Sequence, residues 1–222
     1  MLSLDGVRAD GSVRGKTMKK ICNVCLLGLG LCSLGACKPS DGSTYDNLRT
    51  CTPDDGSLDQ EELTTFDGCQ RLDGSVVLSN GFPARENLAS IIVITGNLVG
   101  GGYVGDSMSL EGLESLEVIE GNFHFLEDNL VDYGGVPKLR SVGSFGSHGV
   151  PELVDFRGLE SLTEVEGNFS VTGNPKLQSL AGLEGLERVH GDVRIRDNPL
   201  LPEEEVEAFL ARVTVDGEVK GL

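Results

Sequence analysis

The chain has no tryptophan, and aromatic side chains make up only 5% of its 222 residues. A compact enzyme with a deep pocket draws on large rigid side chains, so this shortage favours thin layers and many turns. Basic residues are scarce too: 18 Lys and Arg stand against 35 Asp and Glu, a net charge of −17. Residues 1–36 hold five of those cations and two of the anions, so the acidity falls on the rest. Such a surface repels phosphate backbones and argues against nucleic-acid binding, and its plain reading is solubility. The three histidines, His124, His148 and His190, form no His-x-x-x-His spacing, so the sequence predicts no metal site. No apolar run reaches the roughly 20 residues needed to span a bilayer.

What the chain does have is glycine, 31 residues of it, and a block that returns. The three copies centre on Gly112-Leu113-Glu114, Gly158-Leu159-Glu160 and Gly182-Leu183-Glu184. Each runs on through Leu116, Leu162 or Leu186 to a second glycine at Gly121, Gly167 or Gly191. Marking the glycine before each short apolar strand gives Gly74, Gly96, Gly121, Gly143, Gly167 and Gly191, at steps of 22, 25, 22, 24 and 24 residues. Repeats of this length are solenoid units, which bury their apolar face only by stacking on neighbours. After most of these glycines comes an alternating pair such as Val76/Leu78, Phe123/Phe125, Phe169/Val171 or Val193/Ile195, the pattern of a half-buried strand. The Gly143 unit departs from it: Phe145 is followed by Gly146-Ser147-His148-Gly149, and a loop is expected there. Leu113, Leu116 and Ile119 are spaced by three, as a short helix would be, but Gly112, Gly158 and Gly182 favour a tight corner. Asn174-Pro175 and Asn198-Pro199 read as turns after the strand.

On the Gly-Leu-Glu blocks and the Asn-Pro-x-Leu turns, residues 69–200 resemble the receptor L domain. This is the leucine-rich-repeat-related solenoid of insulin-receptor-like and epidermal-growth-factor-receptor-like ectodomains. The cysteine-rich module that such receptors carry between L domains is missing here. The expected fold is therefore mainly β: a right-handed β-solenoid of about five to six coils with short capping helices at both ends. Ser57-Leu58-Asp59-Gln60, running into Glu61-Glu62-Leu63, reads as a capping-box helix start. Pro202–Arg212 reads as the other helix, with Val206, Phe209, Leu210 and Val213 on one face and three glutamates in its first turn. Residues 214–219 suggest a last strand.

Ahead of the solenoid, Met18-Lys19-Lys20 and the apolar run 21–34 read as a secretory signal. Its end, Leu34-Gly35-Ala36-Cys37, resembles the bacterial lipoprotein lipobox. That resemblance implies cleavage before Cys37 and lipidation of its sulfur, with anchoring by several acyl chains. Lys38, where an aspartate would resemble an inner-membrane retention signal, favours the outer membrane. The expected divisions are 1–17 as an over-extended start, 18–36 as signal peptide, 37–50 as flexible tether and 51–222 as solenoid. Cys22 and Cys25 lie inside the signal, so their Cys-x-x-Cys spacing carries no redox or metal reading. Cys51 and Cys69 remain, an even pair in an oxidising compartment, and a bridge between them closes 17 intervening residues. In the chain-entropy model such a bridge is worth roughly 3 kcal/mol.

Two motifs suggest chemistry and then lose it. Gly100-Gly101-Gly102-Tyr103-Val104-Gly105 fits the dinucleotide pattern, but the repeat follows it instead of a helix, so no cofactor is expected. Gly105-Asp106-Ser107 resembles the nucleophile block of GDS-type esterases, which need an Asp-x-x-His partner. The residues three before the histidines are Gly121, Phe145 and Glu187, so Ser107 lacks its base and no catalytic residue is expected. Asp54, Asp55, Asp59, Glu127, Asp128 and Asp132 lack the ladder of a calcium loop. The outward strand positions Asn97, Asn122, His124, Asn168, Ser170, Asp192, Arg194 and Arg196 make the candidate binding face. The expected function is a lipid-anchored envelope module that binds protein or glycan without catalysis. A structural envelope component and an esterase using Ser107 are the competing readings.

Overall fold

The computed structural model describes residues 45–53, 56–58, 68–78, 88–101, 108–127 and 129–221. Its strands fall into two families, all paired in parallel. The short family comprises β1 (Thr50–Cys51), β3 (Arg71–Leu72), β5 (Val93–Ile94), β9 (Glu164–Val165), β11 (Arg188–Val189) and β13 (Thr214–Val215). The second comprises β2 (Ser57–Leu58), β4 (Ser75–Leu78), β6 (Leu98–Gly101), β10 (Phe169–Thr172), β12 (Val193–Arg196) and β14 (Val219–Lys220). Two long strands, β7 (Val118–Leu126) and β8 (Ser141–His148), belong to both. Strand β7 pairs β5 through Val118 and Ile119, then β6 from Phe123 onward. The result is a β-solenoid of about six turns with one short helix among the described residues.

The repeated glycine sits at the bend between the two families. At Gly191, a Cβ would stand 2.7 Å from the Gly167 carbonyl oxygen and 2.5 Å from Asn168 Oδ1. Successive coils touch backbone to backbone there, which only a residue without a side chain permits. The same contact continues to Gly217 over Gly191, a further member of the ladder that the spacing count did not include.

The triplet of apolar residues is a run of tight turns. Leu113 N–H donates to the Leu110 carbonyl at 3.3 Å, and Leu116 N–H to that of Leu113 at 2.9 Å. Leu159 and Leu162 repeat this, as do Leu183 and Leu186. The corner glycine ahead of each has positive φ, 91° at Gly112 and 103° at Gly158, so the corner reading holds over the helix. The glutamate of the block caps this corner. Its carboxylate accepts the glycine N–H, from Gly112 to Glu114 Oε1 at 2.8 Å and from Gly182 to Glu184 Oε2 at 2.8 Å. A divergent fourth copy has the same turns, with Val136 N–H to Tyr133 and Leu139 N–H to Val136, both at 3.1 Å.

Each coil sends its apolar side chains into one continuous core. Across the coils, Phe123 meets Phe145 at 5.9 Å between ring centroids, Phe145 meets Phe169 at 5.1 Å, and Phe169 meets Phe209 at 5.3 Å. Aromatic burial of this kind contributes roughly 1.5–3 kcal/mol per side chain. Phe209 lies on α1 (Glu203–Arg212), which has Val206 buried beside it and Glu203, Glu204 and Glu205 in its first turn. Pro202 stands just ahead of the helix as its N-cap. The helix precedes β13 and β14, so residues 214–220 return to the sheet as expected.

Three expectations change. The helix start read at Ser57 is strand β2, whose Ser57 and Leu58 pair Ser75 and Val76; residues 59–67 lie outside the described residues. The loop expected after Phe145 is the continuation of β8, one of the longest strands. It remains a strand because Ser147 takes the inward place of an apolar residue and donates to Asn174 Oδ1 at 3.3 Å, fully buried. Residues 45–49, placed in the tether, form a turn and lead into β1, with Tyr45 Oη donating to Glu117 Oε2 at 3.0 Å. The signal region, Cys37, residues 1–44 and Ser107 lie outside the described residues.

Candidate functional site

The alternation read from the sequence is the one observed. In β4, β10 and β12 inward residues are buried and outward ones partly or fully exposed. Strand register then lines the outward residues into rows that run from coil to coil. One row is Val77, Val99, His124, Gly146, Ser170, Arg194 and Lys220. The next is Gly101, Leu126, His148, Thr172 and Arg196.

The candidate face proposed from the sequence divides in two. Asn97, Asn168 and Asp192 spend their side chains on the next coil. Asn97 Oδ1 accepts the Asn122 N–H at 2.8 Å, Asn168 Oδ1 accepts that of Asp192 at 2.9 Å, and Asp192 Oδ1 accepts that of Glu218 at 2.9 Å. Asp192 is further engaged by Lys220 Nζ at 2.6 Å, and its pKa is held below the usual carboxylate range by Lys220 and the Glu218 amide. These three are stacking residues. Ser170 Oγ meets His148 Nε2 on the adjacent strand; Asn122, His124 and Arg194 make no such side-chain bond among the described residues, and Arg196 reaches Asp197 there, at 3.7 Å.

The sequence separated His124 from His148 by 24 positions; one turn of the solenoid brings their rings to 5.9 Å between centroids, tilted by 49°. Gly146 makes this possible, because a Cβ there would stand 2.7 Å from the His124 ring. His148 Nε2 lies 2.9 Å from Ser170 Oγ, a hydrogen bond between adjacent strands. Both imidazoles have pKa values below the ordinary histidine value. Partial burial is the main cause at each, followed by the neighbouring His148 for His124 and the Arg194 charge for His148. Beside them lies an open groove of about 490 Å³, lined by Val77, Val99, Gly100, Gly101, His124, Phe125, Leu126 and His148. Val77 and Leu126 are exposed at its rim, 48% and 54% respectively. His148 and Leu126 were missed as face residues because the expected loop hid the period of β8, and the alternating pair Phe123/Phe125 marked β7 only as far as Phe125.

The other sequence candidates that are described take structural places. Gly100 and Gly101 are strand residues of β6, and residues 102–107 lie outside the described residues. Asp132 Oδ1 accepts the Gly134 N–H at 2.8 Å, as a turn residue does. Cys51 and Cys69 stand as free thiols, Cys69 buried and donating to the Arg71 carbonyl at 3.3 Å. Burial, then its hydrogen bond with the Cys51 thiol, pushes the Cys69 thiol well above its ordinary value. Among the described residues no helix is long and apolar enough to cross a membrane.

Comparison with models of known protein families and with characterised proteins gives no match.

Proposed function

We propose that this chain is a lipid-anchored protein of the bacterial cell envelope, most readily of the outer membrane, that binds a protein or glycan through the outer row of its solenoid. The carrying observation is that His124 and Arg194 keep no ion pair among the described residues, on a face where neighbouring polar side chains are spent on stacking. Rigid stacked faces are what solenoids use for recognition. The resemblance to the receptor L domain supports the reading, and the lipobox-like Leu34–Cys37 supplies the anchor. A Cys51–Cys69 bridge fits the same compartment, where neighbouring thiols oxidise.

One preparation tests the reading. The full chain, produced in a bacterial host, should partition with membranes and carry the Cys51–Cys69 link in unreduced peptide mass analysis. Cys37→Ala should release it from the membrane fraction. Screened against envelope glycans and proteins, it should show saturable binding that His124→Ala with Arg194→Glu removes while the melting temperature holds. Binding indifferent to that double substitution would defeat the reading.

A further inference from the structure

A second cluster lies on the short-strand side of the solenoid, away from the outer row. Register places Glu164 on β9 opposite Arg188 on β11, and Arg188 opposite Thr214 on β13. Two positions further along each coil come Glu166, His190 and Asp216. His190 Nε2 lies 2.8 Å from Glu164 Oε1 and 3.9 Å from Glu166 Oε2. Its other ring nitrogen, Nδ1, lies 3.0 Å from Asp216 Oδ2. Asp216 is fixed in turn by Arg188, whose Nε and Nη2 donate to its two oxygens at 3.0 and 2.9 Å.

We propose that Glu164, Glu166 and His190 form a binding site for a divalent transition-metal ion, Zn²⁺ foremost, with Asp216 as the residue that orients the imidazole. One ligand atom from each of the three lies within 4.8 Å of the others, close enough to converge on a single ion. One imidazole nitrogen and two carboxylates form a ligand set that Zn²⁺ accepts, with water completing a tetrahedron at this exposed position.

Two features set the cluster apart from a plain surface ion pair. The first is the division of labour between the ring nitrogens. Asp216 Oδ2 is placed to accept the Nδ1–H, and Nε2 is the nitrogen that faces Glu164 and Glu166. A carboxylate behind the histidine, itself held by an arginine, is the outer-shell arrangement that fixes a metal-ligating imidazole. The second is charge. Three carboxylates surround one arginine, so a protonated His190 still leaves the cluster one charge negative, whereas a dication beside a neutral imidazole balances it. Glu166 also makes no side-chain hydrogen bond among the described residues and reaches only towards His190.

The test is titration of the tag-free full chain in detergent with Zn²⁺ by calorimetry and with Co²⁺ by visible absorption. We expect one ion per chain and a Co²⁺ ligand-field spectrum without a thiolate charge-transfer band. His190→Ala and Glu166→Gln should each abolish stoichiometric binding. Asp216→Asn should leave one site but weaken it about 10–100-fold, the usual cost of losing an outer-shell partner. His124→Ala should leave the Zn²⁺ stoichiometry and affinity as they are. All these side chains are on the surface, and Glu166→Gln removes no internal bond, so it remains readable should His190→Ala fold poorly. Failure to bind Zn²⁺ stoichiometrically, binding retained in Glu166→Gln, or a thiolate band that assigns the ion to Cys51 and Cys69 would each overturn the proposal.

Discussion

His190 and the pair His124/His148 occupy the same solenoid and live under opposite conditions. On the short-strand side, carboxylates of the coils on either side converge on His190, and the Glu164 hydrogen bond, then the Glu166 and Asp216 charges, raise its pKa. On the long-strand side, His124 and His148 lie against glycine and serine, with each other and Arg194 as charged neighbours, and their pKa values are lowered. The difference comes from what each coil places next door. A row whose charges are balanced between coils ties the stack together or holds an ion. A row of like character leaves its groups unspent and open to a partner.

Both sides rest on one cooperative core, and the largest expected effect lies there. Phe169 sits directly under the outer row, between Phe145 and Phe209, and is fully buried. Phe169→Ala should cost about 3–5 kcal/mol by lost burial and an unfilled cavity. Urea unfolding followed through the His148 and His190 ring signals should give coincident transitions shifted together. Loss of the His148 signal well before that of His190 would separate the two sides into independent units.

A smaller effect is expected where polar atoms stitch the coils. Asn174 is fully buried; its Oδ1 accepts the Val150 N–H at 2.9 Å and its Nδ2 donates to the Ser147 carbonyl at 3.1 Å. Its backbone N–H and Nδ2 both donate to Asn198 Oδ1, at 2.9 and 3.1 Å. Asn174→Ala strands these buried groups and should cost about 1–3 kcal/mol. Amide exchange at Val150 should accelerate beyond the global change; unaltered protection there would mean that water takes over the bond.

How far the sequence disclosed this architecture follows from which forces have a local spelling. Backbone contact between coils demands glycine, so Gly96, Gly121 and Gly191 stand out as a ladder. The corner needs positive φ, an apolar residue and a capping carboxylate, and is spelled Gly-Leu-Glu. In the divergent copy at Gly135-Val136-Pro137 the glycine does not take positive φ and no carboxylate follows two residues on, so that copy passed unseen. Ser147 misled because its burial depends on Asn174, 27 residues away, and no local pattern carries that partner. Alternation made the outward strand positions legible, yet Asn97, Asn168 and Asp192 could not be told from Asn122 without knowing which amide lay above each. The cluster at His190 was invisible for the same reason: its members are 26 residues apart on either side.

The smallest effect sharpens the two histidine settings directly. His124 and His148 bind protons less readily in the folded chain than in the unfolded one, whose histidines titrate near 6.5. Between the lowered folded value and that unfolded value the unfolded state holds more protons. Stability therefore falls as pH drops from about 6.5 towards the folded pKa values and levels off below them. Besides each other, the charged group facing these rings is Arg194 on β12; β6 offers only Val99, Gly100 and Gly101, and β10 offers Ser170 and Thr172. Arg194→Gln should consequently raise the His148 pKa, and His124→Gln should flatten the acid slope of the melting temperature without moving its value near pH 8. Ring-proton titration by NMR reads both. A His124 pKa at or above 6.5 would place its ring in full solvent and remove the contrast with His190, leaving Arg194 as the one unspent charge on the outer row.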